Sequence, residues 1–402
     1  MKLLLSGDLH LGCSSTRLPP ESRDLARTLT AWQRLVDAAL QEKVSAVLLS
    51  GDIVDHSNRF WESLGPLKEG ILKLHAAGIR TLAVSGNHDA DVLPHLARLV
   101  PPEAFTLLGA DGTWQRETLL DSQGSPVLHV DGWSFPASRV QFDPTLSYPV
   151  RETADALPVL AMVHGDPGVA DSPYAPLNLP RLQSLPVSAW LLGHIHRPSL
   201  TPGTPWILMP GTPQPLDPGE PGPHHAWITD LQSGHLPPPV PFCPSRLLYR
   251  PLDLLIQPED PPSFEWITRR LQQEVDASPH TGLQLLRVRL HGRSRDPEAL
   301  RACIHALEDW TTPDLAVETV LFEVHPELDL REVAAAGPVP ALLCRALEAP
   351  PSELTQRLES LCASLQQQTE FRDKSLPPLD PENLPLSELL EQALRETLRQ
   401  LS

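Results

Sequence analysis

Short apolar runs that end in a polar turn recur along the first 240 residues: KLLLSGD, SAVLLSGD, IRTLAVSGN, LPVLAMVHGD, SAWLLGH and TPWILMPG. The first three are joined by amphipathic stretches of helical length, about Ser22–Lys43 and Arg59–Ala77. Continuous rather than alternating apolar runs mark strands covered on both faces, and their alternation with helices predicts a layered α/β domain. A proline-rich passage, LPPPVPFCPS (Leu236–Ser245), reads as a linker. Beyond it, a strand is expected at Leu283–Gly292, a helix at Asp296–Trp310 and another strand at Val317–Pro326, which together make a small α+β unit. The C-terminal segment has the periodicity of helices. Leu354, Leu358, Leu361 and Leu365 fall on one stripe, and Leu386, Leu390, Leu394, Leu398 and Leu401 on another.

Composition narrows the class. A chain of 402 residues has room for two or three domains. Its 41% hydrophobic and 20% charged residues are globular values. The 46 prolines are about twice the usual share and predict long, stiff loops. Five cysteines are scattered without a CxxC pair, which argues against a disulfide or zinc framework and for a reducing compartment. No apolar run reaches about 18 residues, and the three leucines after Lys2 are too few for a signal-peptide core, so a cytoplasmic protein with no membrane partner is expected. The formal net charge is −18, and residues 1–240, 241–340 and 341–402 each carry more acidic than basic side chains. A chain that grips nucleic acid unaided normally presents a basic face, because phosphate neutralisation supplies most of the affinity.

Candidate chemistry sits at the strand ends. The first run is followed by Asp8 and His10, the second by Asp52 and Asp55, and the third by Asn87, His88 and Asp89. The fourth ends in His164 and the fifth in His194 and His196. Any one of these could be an ordinary turn residue. Together, five strand ends of one α/β domain would converge, since ligands bind beyond the carboxyl ends of such strands. Carboxylate, amide and imidazole donors suit Mn²⁺, Fe²⁺ or Zn²⁺. Two divalent cations about 3.5–4 Å apart form the usual hydrolytic pair. Their bare repulsion is on the order of 20 kcal/mol at an effective dielectric of about 20, so an anionic bridge is required, and Asp52 is the natural protein bridge.

The ordered set GDLH…GDIVD…GNHD…HGD…GHIH resembles the calcineurin-like metallophosphoesterases over about residues 1–215. Within them it is similar to the SbcD and YhaO-type DNA repair exonucleases, through YAPLNLPRL, GHIHRP followed by MPGTPQP, and LRVRLHGRSR. The resemblance implies an α-β-β-α sandwich over residues 1–240, an α+β capping domain over 246–335 and a helical tail over 339–402 that docks an ATPase. It implies two divalent ions, with Mn²⁺ expected. Asp8, His10, Asp52 and His196 would hold the first ion; Asp52, Asn87, His164 and His194 would hold the second. It assigns His88 to the scissile phosphate, with Asp89 orienting it. It implies DNA as substrate and an SMC-like coiled-coil ATPase of the SbcC/YhaN type as partner, and leaves a homodimer open. Two other readings stay open: a phosphoesterase for small phosphodiesters or phosphoproteins, and a non-catalytic scaffold subunit. Arg287, Arg289, Arg293 and Arg295 form the one local basic cluster, which could meet DNA backbone or the ATPase, or lie on a solvated strand edge. The chain departs from the family pattern after PGTPQP, where LDPGEPGPHH replaces a basic or polar turn bordering the expected substrate groove.

Overall fold

A computed structural model describes residues 1–13, 24–25, 27–55, 63–151, 157–242, 245–327, 330–335 and 337–348, with Gln356, Arg357, Ser360, Ala393, Leu394 and Thr397 beyond them. Of the two C-terminal leucine stripes only Leu394 falls within this set; the other eight leucines lie outside the described residues.

Two six-stranded sheets stack face to face. The first contains β1 (Lys2–Ser6), β2 (Ala46–Ser50), β3 (Arg80–Val84), β4 (Phe105–Leu107), β13 (Ala226–Asp230) and β14 (Val240–Phe242), in the order β14-β13-β1-β2-β3-β4. The second contains β5 (Gln115–Leu120), β6 (Pro126–Trp133), β7 (Val159–His164), β10 (Ala189–Gly193), β11 (Ser199–Thr201) and β12 (Trp206–Met209), in the order β11-β12-β10-β7-β6-β5. Both have parallel centres and antiparallel margins: β1 to β4 run parallel, as do β6, β7, β10 and β12. A two-stranded ladder of β8 (Asp166–Pro167) and β9 (Pro176–Leu177) follows the end of β7.

Strand alternation explains why these runs are apolar throughout. Leu3 and Leu5 of β1 point into the layer between the sheets, with Leu48, Leu82, Leu160, Met162 and Leu191. Leu4 points the other way, onto a core it shares with Trp32 and Leu35 of α1 (Thr28–Glu42), Ile71 of α2 (Leu64–Ala76) and Leu96 of α3 (Leu93–Leu99). The outer face of the second sheet buries Trp133, Trp190 and Tyr148, with Leu182 of α4 (Leu179–Ser184). The result is the layered α-β-β-α sandwich expected from the sequence. The expected starts of the first two helices, Ser22 and Arg59, lie outside the described residues. Within them, Arg27 is extended, and the Thr28 hydroxyl donates to the carbonyls of His10 and Cys13 at 3.0 Å, which pins the start of α1 to the loop after β1.

Downstream, β15 (Leu247–Ile256), β16 (Leu283–Ser294) and β17 (Leu315–Pro326) form a three-stranded sheet in that order. Strand β15 and helix α5 (Phe264–Asp276) are not foreshadowed by the apolar pattern; the strand carries Pro251 mid-length on a sheet edge, and the helix is announced only by its cap, Ser263, whose hydroxyl accepts from the Trp266 amide. The helix expected at Asp296–Trp310 is two shorter ones, α6 (Pro297–Ala302) and α7 (Ile304–Glu308). Strand β16 is the central strand, not an edge. Helices α8 (Leu330–Ala335) and α9 (Pro338–Glu348) follow. Contacts group the chain into two compact units. One is Met1–Leu255 with Ser263–Leu290 and Ala299–Glu323; the other is Ile256–Pro262 with His291–Glu298 and Val324–Ser402.

The two sheets approach closely where β10 ends. A Cβ at Gly193 would collide with the Ser50 carbonyl oxygen at the end of β2, and would also lie 2.5 Å from the Nδ1 of His164. Overpacking of this kind typically costs about 1–3 kcal/mol. Gly193→Ala is therefore expected to lower the denaturant midpoint by that order. Gly65→Ala, at an exposed helical position with nothing within 4 Å of its new Cβ, leaves the midpoint unchanged or raises it.

Candidate metal centre

The motif residues lie at the carboxyl ends of strands from both sheets: Asp8 and His10 after β1, Asp52 and Asp55 after β2, Asn87 and His88 after β3, His164 at the end of β7, and His194 and His196 after β10. The backbone there is unusual. Asp8, His10, Asp52 and His194 have φ values of 50°, 44°, 48° and 97°, a left-handed region that non-glycine residues rarely occupy. Each such residue costs of order 1–3 kcal/mol and persists only where surrounding contacts enforce it. Here the loops are laced together: the amides of Asp8, His10 and Leu11 donate to the carbonyls of Gly51, Asp52 and Ile53, all at 2.9 Å.

Ligand atoms gather in three groups, two of them sharing His10: Asp8, His10 and His196; His10, Asp55 and His88; and Asp52, His164 and His194. Within each group, every atom lies within 4.8 Å of the others. Asn87 joins the third group, its Oδ1 standing 3.1 Å from His164 Nε2. Asp52 reaches between the groups, with Oδ2 3.3 Å from His164 Nε2 and 3.8 Å from His10 Nε2. Its other oxygen accepts from the His88 amide at 2.9 Å.

The far nitrogens of three imidazoles are each held by an acceptor. His164 Nδ1 donates to the Ser50 carbonyl at 3.0 Å, His10 Nδ1 faces Asp55 Oδ2 at 3.4 Å, and His196 Nδ1 contacts Glu220 Oε1 at 2.5 Å. That tautomer leaves each Nε2 a bare lone pair directed inward. The Nε2 atoms of His10 and His196 are only 3.1 Å apart, and His164 Nε2 faces a carboxylate and an amide oxygen. Acceptors facing acceptors in a buried site require positive charge between them. Two divalent cations fit this donor set of imidazole, carboxylate and amide oxygen, a set without thiolate that disfavours soft metals.

Electrostatics show the same demand. Burial alone would raise Asp52, but His164, His10 and His88 hold it well below the ordinary carboxylate range. Burial would lower His164, yet Asp52, Asp8 and the Ser50 carbonyl lift it to about 9. His196 is raised against its burial by Glu220 and Asp8. His194 falls to about 4, through burial and the neighbouring His164. Burial raises Asp8.

Two carboxylates depart from the sequence reading. Asp89, expected to orient His88, spends its oxygens elsewhere: Oδ1 accepts from the Gly86 amide at 2.8 Å, and Oδ2 from Ile53 at 2.6 Å and Val54 at 3.4 Å. It is fully buried and lifted to about 7, by burial and then by Asp52, and it staples the loop after β2 to the loop after β3. The carboxylate that faces His88 Nδ1, at 3.5 Å, is Asp55, whose hydrogen bond raises the His88 pKa. Glu220, in the segment that departs from the family pattern, has no place in the motif reading at all.

Three of the four arginines in the cluster are paired. Arg287 meets Glu318 at 2.7 Å, Arg289 meets Glu323 at 2.6 Å and Asp253 at 3.9 Å, and Arg293 lies 4.0 Å from Glu327. Among the described residues, no helix is long and apolar enough to cross a membrane.

Residues 1–198 match the family described as Calcineurin-like phosphoesterase. That segment, a little under half of the chain, is what is similar to the calcineurin-like phosphoesterases. The chain is 28% identical over 203 residues to the uncharacterized metallophosphoesterase YhaO of Bacillus subtilis (strain 168), a match covering 48% of each chain, so it spans about half the length of that relative. Similar solved structures include TT1561 of Thermus thermophilus, at 15% identity and a TM-score of 0.36 over 59% of this chain and 96% of that one. A dimetal phosphatase from Danio rerio is 12% identical, with a TM-score of 0.36 over 58% and 93% of the two chains. The phosphoesterase Yfce from E. coli is 18% identical, with a TM-score of 0.30 over 60% and 98%.

Two outcomes are expected of the phosphoesterase site. His88 faces Asp55 while its ring stays about a third exposed, so His88→Ala should keep the metal content of wild type while hydrolysis falls at least about a hundredfold. Metal analysis and rate on one preparation check both. In the metal-free protein, a histidine raised from 6.5 to about 9 contributes stability that is complete below pH 6.5 and lost as pH rises through about 9. Metal ions need the neutral ring, so they bind better as that stability disappears. The melting midpoint of metal-free protein should therefore fall between pH 6.5 and about 9, and the increment added by Mn²⁺ should grow over the same interval.

Proposed function

We propose that this metallophosphoesterase hydrolyses phosphodiester bonds at DNA ends, as the nuclease subunit of a complex with an SMC-like coiled-coil ATPase of the SbcC/YhaN type, with Mn²⁺ as its metal. The observation that carries this reading is the position of the two stretches with the repair-exonuclease resemblance. Tyr174, which opens YAPLNLPRL, places its ring 5.3 Å from that of His194. Thr212 of MPGTPQP donates its amide to the His196 carbonyl at 3.0 Å. Residues of both stretches thus stand against the candidate ligand groups, where substrate would be held.

The chain's own residues have separable tasks in this reaction. Asp8, His10, Asp52 and His196, and Asp52, Asn87, His164 and His194, would hold the two ions. When bound, such ions supply Lewis-acid charge to phosphate oxygens and lower the pKa of water toward neutrality. His88 is half-buried, edge-on to His10 with ring centroids 4.8 Å apart, and its Nδ1 is anchored on Asp55. Asp55 raises its pKa and so favours the protonated ring, whose opposite edge can deliver a proton to the leaving oxygen. The contribution of such a general acid is on the order of 10²–10⁴ in rate.

Charge explains the need for a partner. Two arginines of the cap lie in cross-strand pairs, Arg287 with Glu318 and Arg289 with Glu323. Paired in this way they add little positive charge to that face, and the chain as a whole is strongly acidic. Phosphate contacts along long DNA then fall to the ATPase. The same acidity favours a second reading, a phosphoesterase of small phosphodiesters or phosphoproteins that needs no DNA surface.

Purified protein with Mn²⁺ is assayed on linear duplex DNA, single-stranded DNA and a chromogenic diester, with and without chelator and the ATPase. Chelator should abolish all three activities. Alone, the protein should bind duplex weakly with a shallow salt dependence, having few phosphates to neutralise. Deletion of 351–402 should spare the chromogenic diester and remove both ATPase capture and cutting of long DNA. Hydrolysis of the small diester with no cutting of DNA, even beside the ATPase, establishes the second reading instead.

A further inference from the structure

We infer that Glu220 is a positioning residue for the metal centre, fixing both the orientation and the tautomer of His196. The inference rests on the reading of His196 as a ligand of the first ion and extends it to a loop that motif comparison passed over.

Glu220 is held at the centre of a closed ring of hydrogen bonds. His196 Nδ1 donates to Glu220 Oε1 at 2.5 Å. His224 bridges two carbonyls, its Nε2 3.1 Å from that of Glu220 and its Nδ1 2.9 Å from that of Thr212, with the Thr212 hydroxyl 2.6 Å from the same Nδ1. The Thr212 amide then returns to the His196 carbonyl at 3.0 Å, which closes the ring. His224 is buried, at 3% exposure, and takes no part in the ligand groups, so its role is to support the loop. One more tie reaches outward, the amide of Gly222 donating to the Tyr249 carbonyl of β15 at 2.9 Å.

The chemistry of this position demands a carboxylate. Its second oxygen, Oε2, accepts from the Leu216 amide at 2.8 Å, so both oxygens face donors once His196 carries its proton on Nδ1. A carboxylate is acceptor-only on both atoms; a glutamine offers one acceptor and one donor. In Glu220→Gln, the new amide would either face the Leu216 amide donor-to-donor, or donate to His196 Nδ1 and push the proton onto Nε2. The second arrangement removes the lone pair that a metal ion needs. Partners of this kind typically account for about 10–100-fold in metal affinity.

The test uses full-length protein with Mn²⁺ as the probe. Calorimetry counts and ranks the two sites, and electron paramagnetic resonance at two equivalents reports whether the ions are spin-coupled neighbours. Wild type should bind two ions and give a coupled spectrum. Glu220→Gln should weaken one site by about 10–100-fold, leave the other unchanged, and give the spectrum of an isolated ion. Any fall in its metal-free melting midpoint should leave the affinity of the other site unchanged. Glu220→Asp, which keeps two acceptor oxygens on a shorter stem, should weaken the same site by less, and it carries the test if the glutamine variant does not fold. Wild-type affinities and coupling in both variants overturn the inference and leave the dimetal reading standing. So does a fall in the metal-free midpoint with both sites weakened alike, since that assigns Glu220 to loop structure alone. Failure of wild type to bind a coupled pair overturns the dimetal reading itself, and the inference with it.

Discussion

The structure depends on keeping one carboxylate, Asp52, buried among imidazoles with too few protons to satisfy them all. Asp52 is 2% exposed, in a left-handed conformation, with one oxygen on the His88 amide and the other facing His164 and His10. Around it, lone pairs point at lone pairs. An isolated buried charge of this kind would be driven to neutrality. Here the cost is offset by cationic charge placed between the groups, as protons in the metal-free protein, and two divalent ions would supply it in their place.

The remainder of the fold supplies rigidity to that arrangement. Three of the five ligand-bearing strand ends come from one sheet and two from the other, so the site exists only where the sheets are locked in register. The apolar layer between them does this in bulk. Gly193 and Gly86 do it locally: a Cβ at the first would strike the Ser50 carbonyl that fixes His164, and at the second would strike the Asp52 carboxylate. Asp89 adds a stitch by binding amides from two loops at once. Glu220 extends the support to the loop after β12, and through Gly222 to β15.

What could be read from the sequence is what local chemistry encodes. An apolar run ending in Gly-Asp or Gly-His announces a buried strand and a residue at its carboxyl end, so the sandwich and its convergent residues were legible. Pairings between distant turns were not. Asp89 follows His88 in sequence and invites the assignment as its partner, but the turn aims the carboxylate back at Gly86 and Ile53. Asp55, on the preceding strand's loop, reaches the imidazole instead. Glu220 was hidden in a proline-rich loop that reads as a departure from the family, although a lone glutamate among glycines and prolines was its one local signal. The solvated-edge reading of the arginine-bearing strand fails because β15, with Pro251 in its middle, leaves no clean sequence pattern to announce a neighbour.

The central claim is that these strand ends make two adjacent cation sites sharing Asp52. Anomalous diffraction from crystals grown with Mn²⁺ tests it most directly. The account predicts two peaks about 3.5–4 Å apart, one among Asp8, His10 and His196 and the other among Asn87, His164 and His194, with the Asp52 carboxylate between them. A single peak, or two that do not share Asp52, would contradict it.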